Sequence, residues 1–335
     1  MGATGANELR ITIMTLPESL EAAIAQWLER HGSGSRRAGT SSLSETYRGG
    51  GTSQGIDLAA YLVSRLPATF AAVSRVLDQV RVQRPDFAPE SVLDVGSGPG
   101  TASWAAVESW HGITGVSFLD NAPPFLALAG ELAEQGPGAL AQARRVAGSL
   151  VTMPKNLRAD LVIAAYTLAE LPLARMAEAS VRLWQASTAM LVIVEPGTPQ
   201  GFARIRAVRD TLLKQGAVPV APCPHAAACP VSGSDWCHFS VRLARSRAHM
   251  HAKGASVPFE DEKFSYLVLA REGAPSGGGR ILSPAAHAKP GVTFRLCTQG
   301  RIENRHVARR AAQAYKRMRK LDWGDLIGPA SEDVT

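Results

Sequence analysis

The most informative short segment is a glycine-rich turn that follows an apolar run. Residues 92–95 form a strand-like run that leads into three alternating glycines, Gly96, Gly98 and Gly100, before a helical segment near Thr101. Glycine permits a tight turn and lets a ligand approach the backbone closely, because no Cβ is in the way. Such a turn between a strand and a helix is typical of nucleoside-cofactor sites. The alternative is a turn with only a structural role.

Two carboxylates and one hydroxyl indicate which cofactor the turn would bind. Asp94 stands just before the glycines, where it would repel a pyrophosphate but would suit a ligand with an ammonium group. Asp120 ends the next strand, where a carboxylate accepts hydrogen bonds from ribose hydroxyls. Ser149 follows the third strand, at the position expected to contact an adenine. These residues favour S-adenosylmethionine over NAD.

The four cysteines are a second candidate site. Cys223, Cys229 and Cys237 lie in one Pro- and Gly-containing loop, and Cys297 lies far downstream. Structural zinc sites usually use pairs separated by two to four residues, whereas the gaps here are five and seven residues. Iron–sulfur clusters are commonly held by four cysteines, so the spacing favours a cluster. Zinc, with His225 or His238 as further ligands, and buried cysteines without a metal remain as alternatives.

No catalytic group is identified from the sequence. The fourth strand ends in Ala165-Tyr166-Thr167, which differs from the Asn/Asp-Pro-Pro-Tyr motif that binds an exocyclic base amine. The ends of the fourth and fifth strands carry no cysteine, which argues against covalent methylation at cytosine C5. Glu195, after the fifth strand, could orient a substrate or could be a structural acid at the strand end.

The surrounding pattern predicts an α/β fold in three regions. Residues 1–90 show helical periodicity, and from residue 91 strand-like runs alternate with helical segments. This alternation predicts a parallel, doubly wound sheet covered by helices on both faces. We expect a methyltransferase-like domain over 91–272, with a Cys-rich insertion at about 217–240. Residues 273–335 are expected to add a small β segment and a basic tail.

Several motifs together resemble the methyltransferase-like ribosomal small-subunit assembly proteins, which are best known from mitochondria and have bacterial relatives. These motifs are Leu93–Gly100, Glu195–Pro199, the three-cysteine loop, Trp323-Gly324-Asp325, Arg65–Phe70 and Phe259–Tyr266. The resemblance implies a class I (Rossmann-like) methyltransferase fold with an S-adenosylmethionine pocket. It also implies a [4Fe–4S] cluster on Cys223, Cys229, Cys237 and Cys297, and binding to small-subunit rRNA.

Three functions are compatible with this resemblance. The first is a methyltransferase that acts on rRNA in an assembling small subunit, and the intact glycine turn favours it. The second is a non-catalytic assembly factor that binds rRNA, which the missing base-binding motif favours. The third is a small-molecule methyltransferase with a structural zinc site, for which RNA affinity should be negligible.

Charge and composition indicate the partner and the cell compartment. The chain has 335 residues, is 45% hydrophobic and carries a net charge of +7. Two basic segments stand out, one of them after the cysteine loop (Arg242, Arg245, Arg247, His249, His251 and Lys253) and the other over 301–320. Clustered cations suit a polyanion such as RNA, and the alternative for the 301–320 segment is a solvated basic helix end. Tyr315 and Trp323 could stack on unpaired bases, with core packing as the alternative for Trp323. No apolar run approaches the roughly 18 residues of a membrane span. The first nine residues contain Glu8 and no arginine, which is unlike a mitochondrial presequence. We expect a monomer that does not bind membranes and lies in a bacterial cytoplasm.

Overall fold

The chain folds around two β-sheets. The computed structural model describes residues 13–31 and 57–328, and its strands form one nine-stranded and one five-stranded sheet. The strands of the large sheet are β1 Ile13–Met14, β2 Ser91–Val95, β3 Gly115–Asp120, β4 Arg144–Ala147, β5 Ala159–Ala165, β6 Ser187–Pro196, β7 Val218–Ala221, β8 Phe239–Ala244 and β9 Phe259–Ala270. The helices are α1 Glu18–His31, α2 Leu58–Gln83, α3 Thr101–Ser109, α4 Pro123–Ala133, α5 Gly138–Ala141, α6 Met176–Ala186, α7 Pro199–Leu213, α8 Arg247–Lys253 and α9 Ala312–Met318.

The large sheet has a parallel half and an antiparallel half. Strands β4, β3, β2, β5 and β6 are neighbours in that order and run parallel. Strand β9 pairs antiparallel with β6, and β7 and β8 pair antiparallel with β9. The chain builds outward from β2 to β4 and then returns to place β5 on the other side of β2. This reversal creates a crevice at the carboxyl ends of the strands, where ligands bind in such sheets. The topology confirms the predicted class I, Rossmann-like fold.

Helices cover both faces of the large sheet. One face packs apolar side chains of α1 to α5 against strand residues such as Val92, Phe118 and Ile163. The other face packs α6 and α7 against Leu93, Val95 and Val162. Successive residues of a strand point to opposite faces, so Asp94 lies on the same face as Val92, toward α3. Within the described residues, no helix combines the length and apolar character that a bilayer crossing requires.

The cysteine loop interrupts one edge of the large sheet. Strand β7 pairs with residues 268–270 of β9, and β8 pairs with residues 259–264 of the same strand. The loop of residues 222–238 therefore leaves the sheet opposite the middle of β9. There, Ser265 donates a hydrogen bond of 2.8 Å from its Oγ to the carbonyl of Cys237. The sequence predicted the insertion, but it did not show that two strands share one edge around it.

The second sheet packs its own small core and contacts the large sheet through its other face. Its strands are β10 Gly279–Ile281, β11 Ala286–Ala288, β12 Gly291–Thr298, β13 Arg301–Ala308 and β14 Leu326–Ile327. Val292, Phe294 and Leu296 of β12 lie in the core that α9 covers. Cys297 alternates with them and lies on the opposite face, beside Arg280 of β10. The predicted strand over 292–297 is therefore confirmed, whereas β13, within the basic tail, was not foreseen.

Candidate functional site

A cavity of about 290 Å³ lies at the carboxyl ends of the parallel strands. Segments that follow β2, β3, β4 and β5 line it, which matches the crevice that the strand order creates. We name it the nucleoside cavity. Its lining consists of Tyr61, Gly96, Gly98, Asp120, Asn121, Phe125, Gly148, Ser149, Leu150, Val151, Ala165, Tyr166, Thr167, Glu170 and Leu171.

Glycine is required at two positions of the turn, and at each of them a Cβ would clash with a different neighbour. Gly96 has a φ of +66°, and a Cβ there would lie 2.5 Å from Oγ1 of Thr167 in the cavity wall. Gly100 has a φ of +80°, and a Cβ there would lie 3.0 Å from the ring of Phe118. Gly96 and Gly98 line the nucleoside cavity, whereas Gly100 does not. The structure thus assigns Gly100 to the packing of the turn rather than to the cavity wall.

Asp120 is in the cavity wall and also organises the glycine turn. Its Oδ2 accepts a 2.7 Å hydrogen bond from the backbone N–H of Gly98, and its Oδ1 accepts one of 2.8 Å from Ala122. Burial raises the pKa of this carboxyl, and the backbone hydrogen bonds act in the opposite direction. Ser149 also lines the cavity, in a turn closed by Thr152. These two predicted residues therefore lie at one cavity, together with Gly96 and Gly98.

Asp94 lies outside the nucleoside cavity. It is 1% exposed, and its Oδ2 accepts hydrogen bonds from the backbone N–H and the Oγ of Ser103 in α3, at 3.0 and 3.1 Å. Strand alternation is the physical reason, because it turns this side chain toward the helix. The expectation that Asp94 holds a ligand's amino group is therefore not supported. Burial raises the pKa of this carboxyl to about 7.

Tyr166 is a residue of the cavity wall whose place the sequence did not reveal. It has a φ of +60°, which residues other than glycine rarely adopt. Its hydroxyl donates a 2.9 Å hydrogen bond to Glu262, which also forms a 3.2 Å ion pair with Arg65. Tyr166 also lines a second cavity of about 380 Å³, on the side of Pro196 to Thr198. The sequence signal that could have identified Tyr166 was its position at the end of a strand, next to the crevice.

Glu195 has a structural role. It is fully buried, and its Oε1 accepts a 2.9 Å hydrogen bond from the backbone N–H of Leu168. This bond fixes the segment that follows Tyr166. Burial raises the pKa of Glu195 to about 8. Of the two interpretations of this residue, the structural acid is the one that the geometry supports.

The four cysteines line one cavity between the two sheets, which we name the cysteine cavity. Cys223, Cys229 and Cys237 come from the loop between β7 and β8, and Cys297 comes from β12. None forms a disulfide. The remaining lining combines apolar side chains with three arginines: Phe202, Ile205, Arg206, Arg209, Pro222, Pro224, Val231, Tyr266, Arg280 and Leu282. Among the described residues, no three Cys, His, Asp or Glu side chains are placed as the ligands of one metal ion.

Burial and mutual repulsion disfavour thiolates in this cavity. Burial, together with the neighbouring Cys223 and Cys229, raises the pKa of Cys297 to about 12. Burial also raises the pKa of Cys237 well above its ordinary value. At Cys223, Arg209 opposes the rise in pKa that burial causes, because its Nε donates a 3.3 Å hydrogen bond to that sulfur. Without a metal the thiols of Cys237 and Cys297 are therefore protonated, and metal binding would release their protons.

The two candidate histidine ligands are separated by the fold. Nε2 of His225 lies 3.4 Å from the sulfur of Cys297. The ring of His238 instead stacks on Trp236 and meets Trp323 edge-on. His238 does not line the cysteine cavity. Trp323 thus packs against other rings rather than standing free for a base.

The two basic segments differ in how their charge is balanced. After the cysteine loop, Arg242 pairs with Asp261 at 2.7 Å, and Arg245 and Lys253 pair with Glu260. In the tail, Glu303 of β13 pairs with two arginines. Exposed cations then follow before α9, on this helix and just after it, namely Arg309, Arg310, Lys316 and Lys320. The excess positive charge therefore lies over 309–320.

Comparison with protein families and relatives gives one consistent match. The family model described as "Mitochondrial small ribosomal subunit Rsm22" matches residues 56–328. The human "Ribosome assembly protein METTL17, mitochondrial" is 30% identical over 299 residues, which are 82% of this chain and 63% of that protein. "Rsm22-cox11 tandem protein 2, mitochondrial" of Schizosaccharomyces pombe is 24% identical over 80% of this chain and 42% of its own length. This chain thus spans less than two thirds of these relatives.

Two solved methyltransferase structures are remotely similar to this chain. One is magnesium protoporphyrin IX methyltransferase from Synechocystis with bound SAM, with 14% identity and a TM-score of 0.42 over 78% of this chain and 100% of that chain. Another is precorrin-6y C5,15-methyltransferase from Geobacter metallireducens, with 12% identity and a TM-score of 0.38 over 60% and 86%.

The expectation of a bacterial cytoplasmic protein is wrong. The matched family and the relatives from human and fission yeast are all described as mitochondrial, which points to mitochondria. The expectation rested on the composition of the first residues, which lie outside the described ranges.

The burial of Asp94 leads to a prediction about pH. A carboxyl whose pKa is about 7 when folded and about 4 when unfolded stabilises the fold when protonated, and this contribution is lost as the pH rises between those values. We expect the free energy of unfolding to fall with pH relative to Asp94→Asn, by at most about 1.4 kcal/mol per pH unit. Denaturant unfolding at pH 4.5, 5.5, 6.5 and 7.5 measures the difference.

Asp160→Asn is the matched control. Burial alone would raise the pKa of Asp160, but hydrogen bonds from Ser91, Glu90 and Thr188 lower it, so it stays ionised throughout this range. Parallel pH profiles for the wild type and Asp94→Asn would contradict the assignment.

Proposed function

Because the chain belongs to the Rsm22 family of mitochondrial small ribosomal subunit proteins, we propose that it acts in assembly of the small ribosomal subunit. In this proposal it is a methyltransferase-like protein that binds small-subunit rRNA and S-adenosylmethionine and carries a [4Fe–4S] cluster. The single observation that carries the proposal is the meeting of four thiols from a loop and a separate sheet in one cavity.

The donor set of the cysteine cavity fits a cluster. Cys223, Cys229, Cys237 and Cys297 contribute four sulfurs, and within the described part of the chain no carboxylate or imidazole belongs to the lining. Cys₄ ligation with hydrogen bonds to sulfur in an apolar surround is common in iron–sulfur proteins. The ligand gaps are also wider than those of structural zinc sites. We therefore favour the cluster over a zinc ion, and assign it to joining the cysteine loop to the second sheet.

The nucleoside cavity fits S-adenosylmethionine through four of the predicted residues. In this proposal Gly96 and Gly98 border the methionine part, Asp120 accepts hydrogen bonds from the ribose hydroxyls, and Ser149 lies near the adenine. Asp94 and Gly100 support the cavity wall from outside it. Asp94 holds α3 in place, and Gly100 holds the turn in place. The cofactor would supply a methyl group on a sulfonium, and the protein's part is to align an acceptor with it.

Binding to rRNA is assigned to the exposed cations that follow β13, on α9 and on both sides of this helix. Arg309, Arg310, Lys316 and Lys320 lie close together in the chain and are exposed. Phosphate contacts of Lys and Arg release counterions and make the affinity depend on salt. The segment after the cysteine loop is less suitable, because Glu260 and Asp261 already form ion pairs with Arg242, Arg245 and Lys253.

A non-catalytic role is the second candidate, and Tyr166 is the observation that favours it. Its ring lines both the nucleoside cavity and the neighbouring cavity, and Glu262 holds its hydroxyl. An acceptor base that approached from the second cavity would have to displace this ring. In this version the fold binds the cofactor and rRNA without methyl transfer.

Substitution of a proposed ligand tests the metal centre. We expect Cys229→Ser in anaerobically purified protein to lose most of its iron and sulfide and to increase hydrogen exchange over 217–297, because metal binding is coupled to folding there. Ser232→Ala, at an exposed site of the same loop, is the control and should keep both. Full iron and sulfide retention in Cys229→Ser would remove this residue from the ligand set.

Charge removal on the tail tests the RNA surface. We expect the triple variant Arg309→Gln, Arg310→Gln, Lys316→Gln to bind small-subunit rRNA at least tenfold more weakly. Its salt slope should be shallower by roughly 0.7 for each phosphate that the variant no longer neutralises. The triple variant Lys155→Gln, Arg158→Gln, Lys214→Gln removes three exposed cations elsewhere and should bind as the wild type does. Equal weakening in both variants would place the RNA surface elsewhere.

Label transfer separates the enzymatic from the non-catalytic candidate. Precursor small subunits are incubated with protein and methyl-labelled S-adenosylmethionine, and cofactor binding is measured separately by calorimetry. We expect label in small-subunit rRNA, and we expect Asp120→Ala to abolish both this label and cofactor binding, because this carboxylate holds the glycine turn. Cofactor binding without transfer would select the non-catalytic role. Negligible RNA affinity would select a small-molecule methyltransferase.

A further inference from the structure

Two buried arginines lie beside the cysteines. Arg280 of β10 is 1% exposed and Arg209 of α7 is 3% exposed, and both line the cysteine cavity. Among the described residues, no carboxylate lies within 4 Å of Arg280, and Arg209 reaches only Asp210, whose side chain is 53% exposed. A buried charge is costly unless it is paired, so the two guanidinium groups need a counter-charge.

The neutral partners of these arginines do not supply that charge. Arg280 donates from Nε to the carbonyl of Pro222 at 2.8 Å, and from Nη1 to Gln79 at 2.6 Å and to Gly324 at 2.8 Å. Its Nη2 is buried and finds no hydrogen-bond acceptor in residues 13–31 and 57–328. Carbonyl and amide oxygens satisfy N–H groups, but they leave the positive charge unbalanced.

Arg209 makes a direct contact with one sulfur. It donates from Nε to Cys223 at 3.3 Å, and from Nη2 to the carbonyls of His225 and Ala227. It thereby holds the cysteine loop against α7. Arg280 and Arg209 both line the cavity that the four cysteines share, so both guanidinium groups place positive charge beside the sulfurs.

From these contacts we infer that Arg280 and Arg209 are the charge partners of the metal centre, and that they raise its reduction potential. This inference rests on the proposed cluster. A [4Fe–4S] core with four thiolates is negatively charged, and its reduced form is more so. Nearby positive charge and hydrogen bonds to sulfur therefore stabilise the reduced form more than the oxidised form. The Nη2 group of Arg280 is the donor available for a sulfur of the centre.

The test is the midpoint potential of the cluster. Anaerobically purified protein is titrated with dithionite and mediator dyes, and electron paramagnetic resonance reports the reduced cluster. We expect Arg280→Gln and Arg209→Gln each to shift the potential to more negative values, with iron and sulfide unchanged. Arg271→Gln is the control, because Arg271 also binds backbone carbonyls, at Ser187, but lies outside the cysteine cavity. It should leave the potential unchanged.

Lysine variants separate charge from folding. If a glutamine variant loses its cluster while Arg280→Lys or Arg209→Lys keeps it, the requirement for positive charge is supported. Loss in both the glutamine and the lysine variant of each arginine would reduce these residues to a folding role and overturn the inference. Complete clusters with the wild-type potential in both glutamine variants would also overturn it. Absence of iron and sulfide in the wild type would instead refute the proposed centre itself.

Discussion

The architecture depends on the burial of four thiols and two guanidinium groups between two sheets. Cys297 lies on the face of β12 that points away from its own small core, and it meets the cysteine loop there. Arg280 connects the same junction to α2 and to the segment after α9. Buried cations need counter-charges, and without a metal the buried thiols of Cys237 and Cys297 stay protonated and supply none. The proposed metal centre, held by thiolates, would supply that negative charge, and its removal would loosen the junction.

The direction of each side chain separates the residues that line the nucleoside cavity from those that support it. Asp94 and Asp120 both stand at the ends of neighbouring parallel strands. Alternation along β2 turns Asp94 to α3, whereas Asp120 faces the crevice and receives the N–H of Gly98. Tyr166 follows β5 and Glu195 lies near the end of the adjacent β6, yet Tyr166 lines the cavity and Glu195 is fully buried. A strand-end position therefore indicates a functional region, and the direction of the side chain decides the role.

The two basic segments also differ in their roles. The cations after the cysteine loop resemble those of the tail in composition, but β8 pairs with β9 so that Arg242 faces Asp261 and Arg245 faces Glu260. Those charges stabilise the sheet edge. The exposed cations Arg309, Arg310, Lys316 and Lys320 have few acidic neighbours in the chain, so they are available to a polyanion. The second sheet thereby joins the cysteine cavity to the proposed RNA surface in one structural unit.

The sequence by itself determined the fold class, the alternation of strand and helix segments along the chain, the glycine turn and the set of four cysteines. These features depend on local periodicity and residue type. Tertiary structure decided the rest. The split edge strand around the cysteine loop, the turning of Asp94 away from the cavity, and the meeting of Cys297 with Arg280 and Arg209 depend on residues far apart in the chain. Local spacing carries no record of such contacts, since they are formed only when the sheets pack.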